Sequence, residues 1–114
     1  MASKLTELLK DCVSKNRCDF LTYGEFGRRY GLGSFPPAWA NRRTLDLASR
    51  ECKSDPDIDN LDLTFLIRSS TNHYPSVIDG LPFDTRNPEP QMAKARQVAQ
   101  KIIDRFAPGT ANPY

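Results

Sequence analysis

Residues 22–31, Thr-Tyr-Gly-Glu-Phe-Gly-Arg-Arg-Tyr-Gly, carry the clearest structural signal in this 114-residue sequence. Thr22 and Glu25 have the three-residue spacing of a capping box, in which each side chain hydrogen-bonds the other residue's backbone N–H group. An aromatic pair four residues apart then falls on one helical face. Gly31 readily takes the left-handed conformation that ends many helices. The stretch therefore predicts a short helix over about residues 22–31.

Two more amphipathic helices are predicted on either side of this stretch. Apolar residues recur with helical spacing over about residues 3–16, with Ser3 as the N-cap. A third helix is predicted to begin at Pro36-Pro37, because proline suits the first helical turn, and to run to about Lys53. The residues expected on its inward face are Ala38, Leu45, Ala48 and Cys52.

The second half of the chain changes to strand periodicity. Apolar and polar residues alternate over 61–67, which predicts a half-buried strand, and residues 73–78 are predicted as a returning strand. Residues 81–90 hold three prolines and predict an irregular loop. A long amphipathic helix is predicted over about 89–106, followed by a flexible tail over 108–114.

The element order predicts a single α+β domain over residues 1–107. Three helices followed by a β-hairpin are the plan of a winged helix, in which the third helix commonly enters the DNA major groove. The predicted architecture is a three-helix helix-turn-helix core with a small β-hairpin and a C-terminal helix.

Charge is divided unevenly along the chain, whose formal net charge is +2. Residues 1–53 carry ten Lys/Arg and six Asp/Glu, whereas residues 54–114 carry six and eight. The basic half contains the three predicted helices, which favours an acidic partner there. An ordinary solvated surface is the alternative interpretation.

Cysteine usage and hydropathy predict a cytoplasmic protein without membrane association. The three cysteines form an odd set without a CxxC pair, which is typical of a reducing compartment. No N-terminal apolar run looks like a signal peptide, and no stretch approaches the ~20 apolar residues of a membrane span.

The sequence motifs of catalysis and metal binding are missing. There is no Gly-rich phosphate loop, no GxSxG and no paired metal motif, and His73 is the single histidine. Three aspartates within residues 55–59 resemble the start of a calcium loop, but Asn60 stands where that loop needs glycine. We therefore predict no enzyme, no cofactor and no metal site.

Residues 20–50 resemble the DNA-binding part of the alkylguanine alkyltransferase and alkyltransferase-like family. Members open their helix-turn-helix with Thr-Tyr-Gly-Glu/Gln, here residues 22–25, and follow it with an arginine-bearing recognition helix. The resemblance implies that Tyr23 lies close to DNA and that Arg42 or Arg43 enters the base stack. The family's reactive Pro-Cys-His-Arg segment, or its tryptophan counterpart, has no match here, so alkyl transfer is not expected.

The leading functional prediction is a small non-catalytic DNA-binding protein with a basic helix-turn-helix face. Arginine pairs bidentately with phosphate and guanine edges, and tyrosine can stack on bases. A solvated surface with ion pairs such as Arg42–Asp46, and core packing of Tyr23, are the structural alternatives. The candidate contact residues are Tyr23, Arg28, Arg29, Asn41, Arg42, Arg43 and Arg50.

The alternative functional prediction is a protein–protein interaction module, such as a phage-type or mobile-element inhibitor of a host complex. Its contact surfaces would be the proline-rich loop over 81–90 and the acidic stretch over 55–62. Small size, nearly balanced charge and the lack of a catalytic motif all permit this function. The sequence predicts neither the partner nor the oligomeric state.

Overall fold

A computed structural model describes residues 2–33 and 38–114 of this small α+β protein. Within these ranges the chain forms four α-helices, two short 3-10 helices and two two-stranded sheets. The α-helices are α1 (Lys4–Cys12), α2 (Tyr23–Tyr30), α3 (Arg42–Lys53) and α4 (Glu89–Phe106). The strands are β1 (Leu21–Thr22), β2 (Ile67–Arg68), β3 (Val77–Ile78) and β4 (Leu81–Pro82). The 3-10 helices are Pro56–Ile58 and Leu63–Leu66.

Helix α2 begins and ends as the sequence predicts. The Thr22 hydroxyl accepts from the Glu25 N–H at 3.2 Å, and the Glu25 carboxylate accepts from the Thr22 N–H at 2.9 Å. Gly31 follows the helix at φ +65°, and its N–H donates to the Gly27 carbonyl. The predicted capping box and glycine terminator are therefore confirmed.

Helix α1 begins after Ser3 as predicted, and the Ser3 hydroxyl accepts from the Thr6 N–H. The helix ends at Cys12, earlier than the predicted residue 16. Lys15 and Asn16 take positive φ values of 60° and 58°, so the chain turns away from the helical path there. The amphipathic pattern predicts the buried face of α1 but does not predict this turn.

Helix α3 begins later than predicted. Pro36-Pro37 lie outside the described residues, and residues 38–41 are not helical. Asn41 is the N-cap, because its side-chain oxygen accepts from the Thr44 N–H at 2.9 Å. The predicted inward residues Leu45, Ala48 and Cys52 are buried, whereas Ala38 precedes the helix and is exposed.

The strand predicted over 61–67 is wrong for most of its length. Leu63–Leu66 is a 3-10 helix, and only Ile67 and the following arginine form β2. Residues 62–67 are all buried, so the alternation of apolar and polar residues does not correspond to one buried face and one exposed face. The Asp62 carboxylate accepts from the Thr64 N–H at 3.1 Å and stabilises the turn in place of a strand.

The hairpin also differs from the predicted one. β2 pairs in parallel with β1, while β3 and β4 form an antiparallel pair across Asp79-Gly80. Both turn residues have positive φ, 53° and 77°, as a type I′ turn requires. The predicted pairing of 61–67 with 73–78 is therefore wrong, and the hairpin lies within residues 77–82.

The second 3-10 helix lies at the centre of the core. Helices α1, α3 and α4 all pack against it, while α2 packs against β1 and β2. The largest fully buried side chains include Phe26, Phe65 and Leu9. None of the helices in the described ranges is long and apolar enough to cross a membrane.

Helix α4 matches its predicted bounds, and the following segment folds back over the core. Its buried face consists of Ala95, Ala99, Ile102 and Ile103, in keeping with the predicted amphipathic pattern. The residues predicted as a flexible tail end at Tyr114, whose hydroxyl donates to the Phe65 carbonyl. Two further aromatic rings flank this tyrosine, so the tail lies against the core.

Candidate nucleic-acid interface

The first turn of α3 and the turn of the β3–β4 hairpin bound an open cleft of about 620 Å³, here termed the α3–hairpin cleft. Helix α3 buries one side against the core, so its opposite side presents Arg43, Leu47 and Arg50 to solvent. These three side chains follow the i, i+4, i+7 spacing of one helical face. The residues that line the cleft are Arg42, Arg43, Asp46, Asp79, Gly80 and Leu81.

The Asp79 carboxylate holds the hairpin beside α3. Lys53 of α3 donates to one carboxylate oxygen at 3.2 Å, and Lys94 of α4 donates to the other at 2.9 Å. The hydrogen bond from Lys94 is the main cause that lowers the pKa of Asp79 below its ordinary value, with Lys53 adding to it. One side chain thus ties the hairpin turn to two helices.

Close approach of the turn to α3 requires glycine at position 80. A Cβ atom there would lie 3.2 Å from the Asp46 carboxylate oxygen, and φ is +77°. Both the contact and the backbone conformation disfavour any larger residue. The floor of the α3–hairpin cleft is therefore formed by backbone that lies directly beside the helix.

Arg42 and Arg43 project from the first turn of α3 and are exposed. Within the described residues neither forms an ion pair with a carboxylate. The alternative pair Arg42–Asp46 that the sequence suggests is replaced by an ion pair between Asp46 and Arg50 at 3.2 Å. Two guanidinium groups therefore remain available at the cleft.

The predicted site residue Asn41 has a structural task. Its side-chain oxygen caps α3, and its side-chain nitrogen donates to the Ala38 carbonyl at 3.2 Å. Both ends of the amide are therefore occupied by local backbone groups. Asn41 positions the two arginines that follow it along the chain.

The three candidates on α2 lie in different environments and do not line the α3–hairpin cleft. Tyr23 is buried, and its hydroxyl accepts from the Ser76 N–H at 3.0 Å. Burial raises the pKa of this phenol. Arg29 donates to Asp19 at 2.7 Å, whereas Arg28 is exposed without an ion pair in the described part of the chain.

The hairpin is the part of the site that sequence reasoning missed. Its residues Asp79, Gly80 and Leu81 line the cleft, and Leu81 remains 58% exposed. An Asp-Gly pair is a strong hairpin signal on its own. The Asp79-Gly80 pair therefore indicates a hairpin in the sequence. Strands of two residues such as β3 and β4 are too short to show an alternating pattern on either side of it.

Two further kinds of candidate site are metal-ligand clusters and cysteine thiols. Within them, no group of three His, Cys, Asp or Glu side chains is placed to hold a metal ion. Cys12 and Cys52 are buried free thiols. Burial raises the pKa of Cys52 to about 12, so this thiol stays protonated and unreactive near neutral pH.

Comparison of the chain with protein-family models, with curated proteins and with solved structures finds no match. Function is therefore inferred from the exposed side chains, charges and shape of the described surface.

Proposed function

We propose that the protein binds duplex DNA without catalysis, through the outer face of α3 and the adjacent β3–β4 hairpin. The observation that supports this proposal is the pair of exposed guanidinium groups on Arg42 and Arg43, beside a cleft that the hairpin completes. Guanidinium groups without a carboxylate partner keep their donors for phosphate oxygens and guanine edges. Two adjacent arginines at one helix end therefore suit a polyanionic backbone.

The proposed docking resembles that of a winged helix. Helix α3 would act as the recognition helix in the major groove, with the β3–β4 hairpin against the neighbouring backbone. This hairpin lies later in the chain than the predicted wing, but it stands beside the same helix. The anchor at Asp79 keeps the hairpin in place as DNA approaches.

The other predicted contact residues differ in how available their side chains are to DNA. Arg50 is exposed and pairs with Asp46 at the surface, where an ion pair contributes only ~0–1 kcal/mol and can exchange for phosphate. Arg28 is exposed on α2 and lies outside the α3–hairpin cleft. Tyr23 is a packing residue, and Arg29 is held by Asp19.

Fluorescence anisotropy with a labelled duplex across a salt series tests the proposal. We expect affinity to fall steeply with salt, because each neutralised phosphate releases counterions. The double substitution Arg42→Gln and Arg43→Gln should reduce the magnitude of the salt slope by about two and weaken binding to all duplex sequences. Arg105→Gln on α4 is a control for the loss of one positive charge, at an arginine that pairs with Asp59. This substitution should change the salt slope and the affinity for DNA much less than the double substitution does.

Two results would overturn DNA binding through α3. One is the absence of binding even at low salt. The other is a salt slope that the double substitution leaves unchanged. The variants should retain the urea unfolding midpoint of the parent protein, because both arginines are exposed.

A protein–protein interaction module is the second candidate function. The large hydrophobic side chains that remain exposed in the described ranges are Leu47 and Leu81, 43% and 58% exposed, and they lie on α3 and on the hairpin. Exposed apolar groups next to arginines are common at the centre of protein interfaces. A nuclease-treated pull-down that retains a stoichiometric protein, and loses it with Leu81→Asp but not with the arginine double substitution, would favour this function.

A further inference from the structure

A second cleft, which shares Asp79 with the first, lies between α3, α4 and the loop that precedes the second 3-10 helix. It has a volume of about 140 Å³ and is here termed the lysine cleft. Three lysines line it, namely Lys53, Lys94 and Lys101. Lys94 and Lys101 are seven residues apart on α4, so they project from the same helical face. The cleft thus gathers three cations from two helices.

The three lysines carry more N–H donors than they use in hydrogen bonds to protein carboxylates. Each ammonium carries three N–H donors. Lys53 and Lys94 each give one to Asp79, and Lys101 forms no ion pair among the described residues. Most of the donors around the cleft therefore remain for a ligand.

The two carboxylates at the cleft do not balance the lysines. Asp62 is buried and its oxygens already accept from the Ser49 hydroxyl at 2.6 Å and from Thr64. Asp79 is the bridging carboxylate of the turn. Three ammonium groups face two carboxylates, which leaves a net charge of +1 before any ligand binds.

We propose that the lysine cleft binds a phosphate group. A tetrahedral oxyanion accepts hydrogen bonds in several directions, which suits three lysines that line one cleft from α3 and α4. The volume is roughly ten times the ~10–15 Å³ that admits one water molecule, which leaves room for one phosphate group with water. The proposal does not depend on DNA binding by α3, because the phosphate group can belong to free phosphate, to a phosphomonoester or to a nucleic-acid backbone.

The Asp79 carboxylate would compete with the bound phosphate for the same two lysines. Asp79→Asn removes this competing charge and keeps an Asn-Gly pair, which suits the same turn. The variant should therefore bind phosphate more tightly, by about tenfold, since hydrogen bonds to charged groups contribute on that scale. The urea unfolding midpoint of the variant shows whether the hairpin keeps its place without this carboxylate.

The test is an NMR titration of the intact protein with sodium phosphate at neutral pH, against sodium chloride of equal ionic strength. We expect saturable shifts at the Asn60 side-chain amide, the Leu61 N–H and the lysine ammonium groups. Lys101→Gln should weaken this binding about tenfold. Lys4→Gln, at an exposed position on α1, is the matched control and should leave it unchanged.

Shifts that chloride reproduces, or that neither Lys101→Gln nor Asp79→Asn alters, would overturn the proposal.

The same variants, measured in the DNA titration, show which kind of molecule carries the bound phosphate group. If Lys101→Gln reduces the salt slope for duplex DNA, the cleft takes a backbone phosphate. If phosphate binds but the DNA titration does not respond, the cleft takes free phosphate or a phosphomonoester. Loss of DNA binding alone would count against the α3 surface and not against this cleft.

Discussion

Two glycines of α2 meet different surroundings although they lie three residues apart. A Cβ atom on Gly24 would have Arg28 Nη1 as its nearest neighbour at 4.0 Å. A Cβ atom on Gly27 would lie 3.1 Å from Trp39 Nε1. The indole has little freedom to move away, since its ring packs against Tyr23 and Phe26 at centroid distances of 6.0 and 5.5 Å.

Alanine substitutions at these two positions should therefore act in opposite directions. Gly24→Ala should raise the free energy of unfolding by up to about 1 kcal/mol, because alanine favours the helical backbone. Gly27→Ala should lower it by about 1 kcal/mol, since overpacking against the indole outweighs the same gain. Urea unfolding followed by far-UV circular dichroism measures both. Equal stabilisation by the two variants would show that Trp39 does not pack on α2.

Local side chains define α2 as an element. The Glu25 carboxylate is exposed, yet its pKa lies below the ordinary value, mainly because it accepts from the Thr22 backbone N–H. A carboxyl group whose pKa is depressed on folding stabilises the protein above its unfolded pKa of about 4.3. That contribution is lost as the pH falls through the lower pKa of the folded state.

Glu25→Gln should separate charge from hydrogen bonding in this capping box, since glutamine retains an acceptor for the Thr22 N–H. We expect a loss of at most about 0.5 kcal/mol at neutral pH, because an exposed charge is screened by solvent. The difference from the parent protein should shrink as the pH falls below the unfolded pKa and should vanish once the pH lies below the lower pKa of the folded state. Urea midpoints at neutral and acidic pH measure it, and a difference that persists in acid would contradict the assignment.

Thr22→Ala provides the comparison, since it removes the other half of the box. Its cost should be about 1 kcal/mol, typical of the loss of an N-cap side chain. The threonine hydroxyl does not titrate, so this cost should remain where the effect of Glu25→Gln disappears.

At the scale of the whole molecule, the final residues close the fold. The Tyr114 ring packs against Phe20 and Tyr74 at centroid distances of 6.2 and 5.5 Å. The Arg68 guanidinium lies 5.8 Å from the Tyr114 ring centroid and donates to the Pro113 carbonyl at 3.5 Å. Burial raises the pKa of the Tyr114 phenol.

Tyr114→Ala should lower the free energy of unfolding by about 2 kcal/mol, somewhat less than loss of a fully buried aromatic ring, because Tyr114 is partly buried against the core. Tyr114→Phe should cost about 1 kcal/mol, because the ring stays and only the hydrogen bond to the Phe65 carbonyl is lost. Thermal unfolding measures both, with Ala111→Ser at an exposed position of the same segment as the control. A tail that moves freely, as the sequence alone predicts, would leave all three variants equal to the parent.

The whole fold also decides which arginines are paired with carboxylates and which remain unpaired. The sequence predicts a cluster of arginines, but the fold separates their roles. Arg29 pairs with an aspartate ten residues away in the chain, and Arg50 pairs with Asp46. Arg42 and Arg43 stay without a carboxylate partner in the described ranges, and a hairpin more than thirty residues later completes their cleft. The Asp46–Arg50 pair has the i, i+4 spacing that a helical sequence already offers, whereas the Arg29–Asp19 pair and the cleft beside Arg42 and Arg43 cannot be derived from local sequence patterns.

The sequence by itself determined the helices α2 and α4, the start of α1 and the buried face of α3. Capping boxes and amphipathic periodicity act between residues at most a few positions apart, so they are readable in the chain. Only the tertiary structure decided the path of residues 61–67, where the alternating pattern predicts a strand. The Asp62 carboxylate accepts from the Ser49 hydroxyl and the Thr64 N–H, and three helices pack against the 3-10 helix in this segment. The parallel pair of β1 and β2 and the anchored tail depend in the same way on contacts between residues more than forty positions apart, which local propensity does not encode.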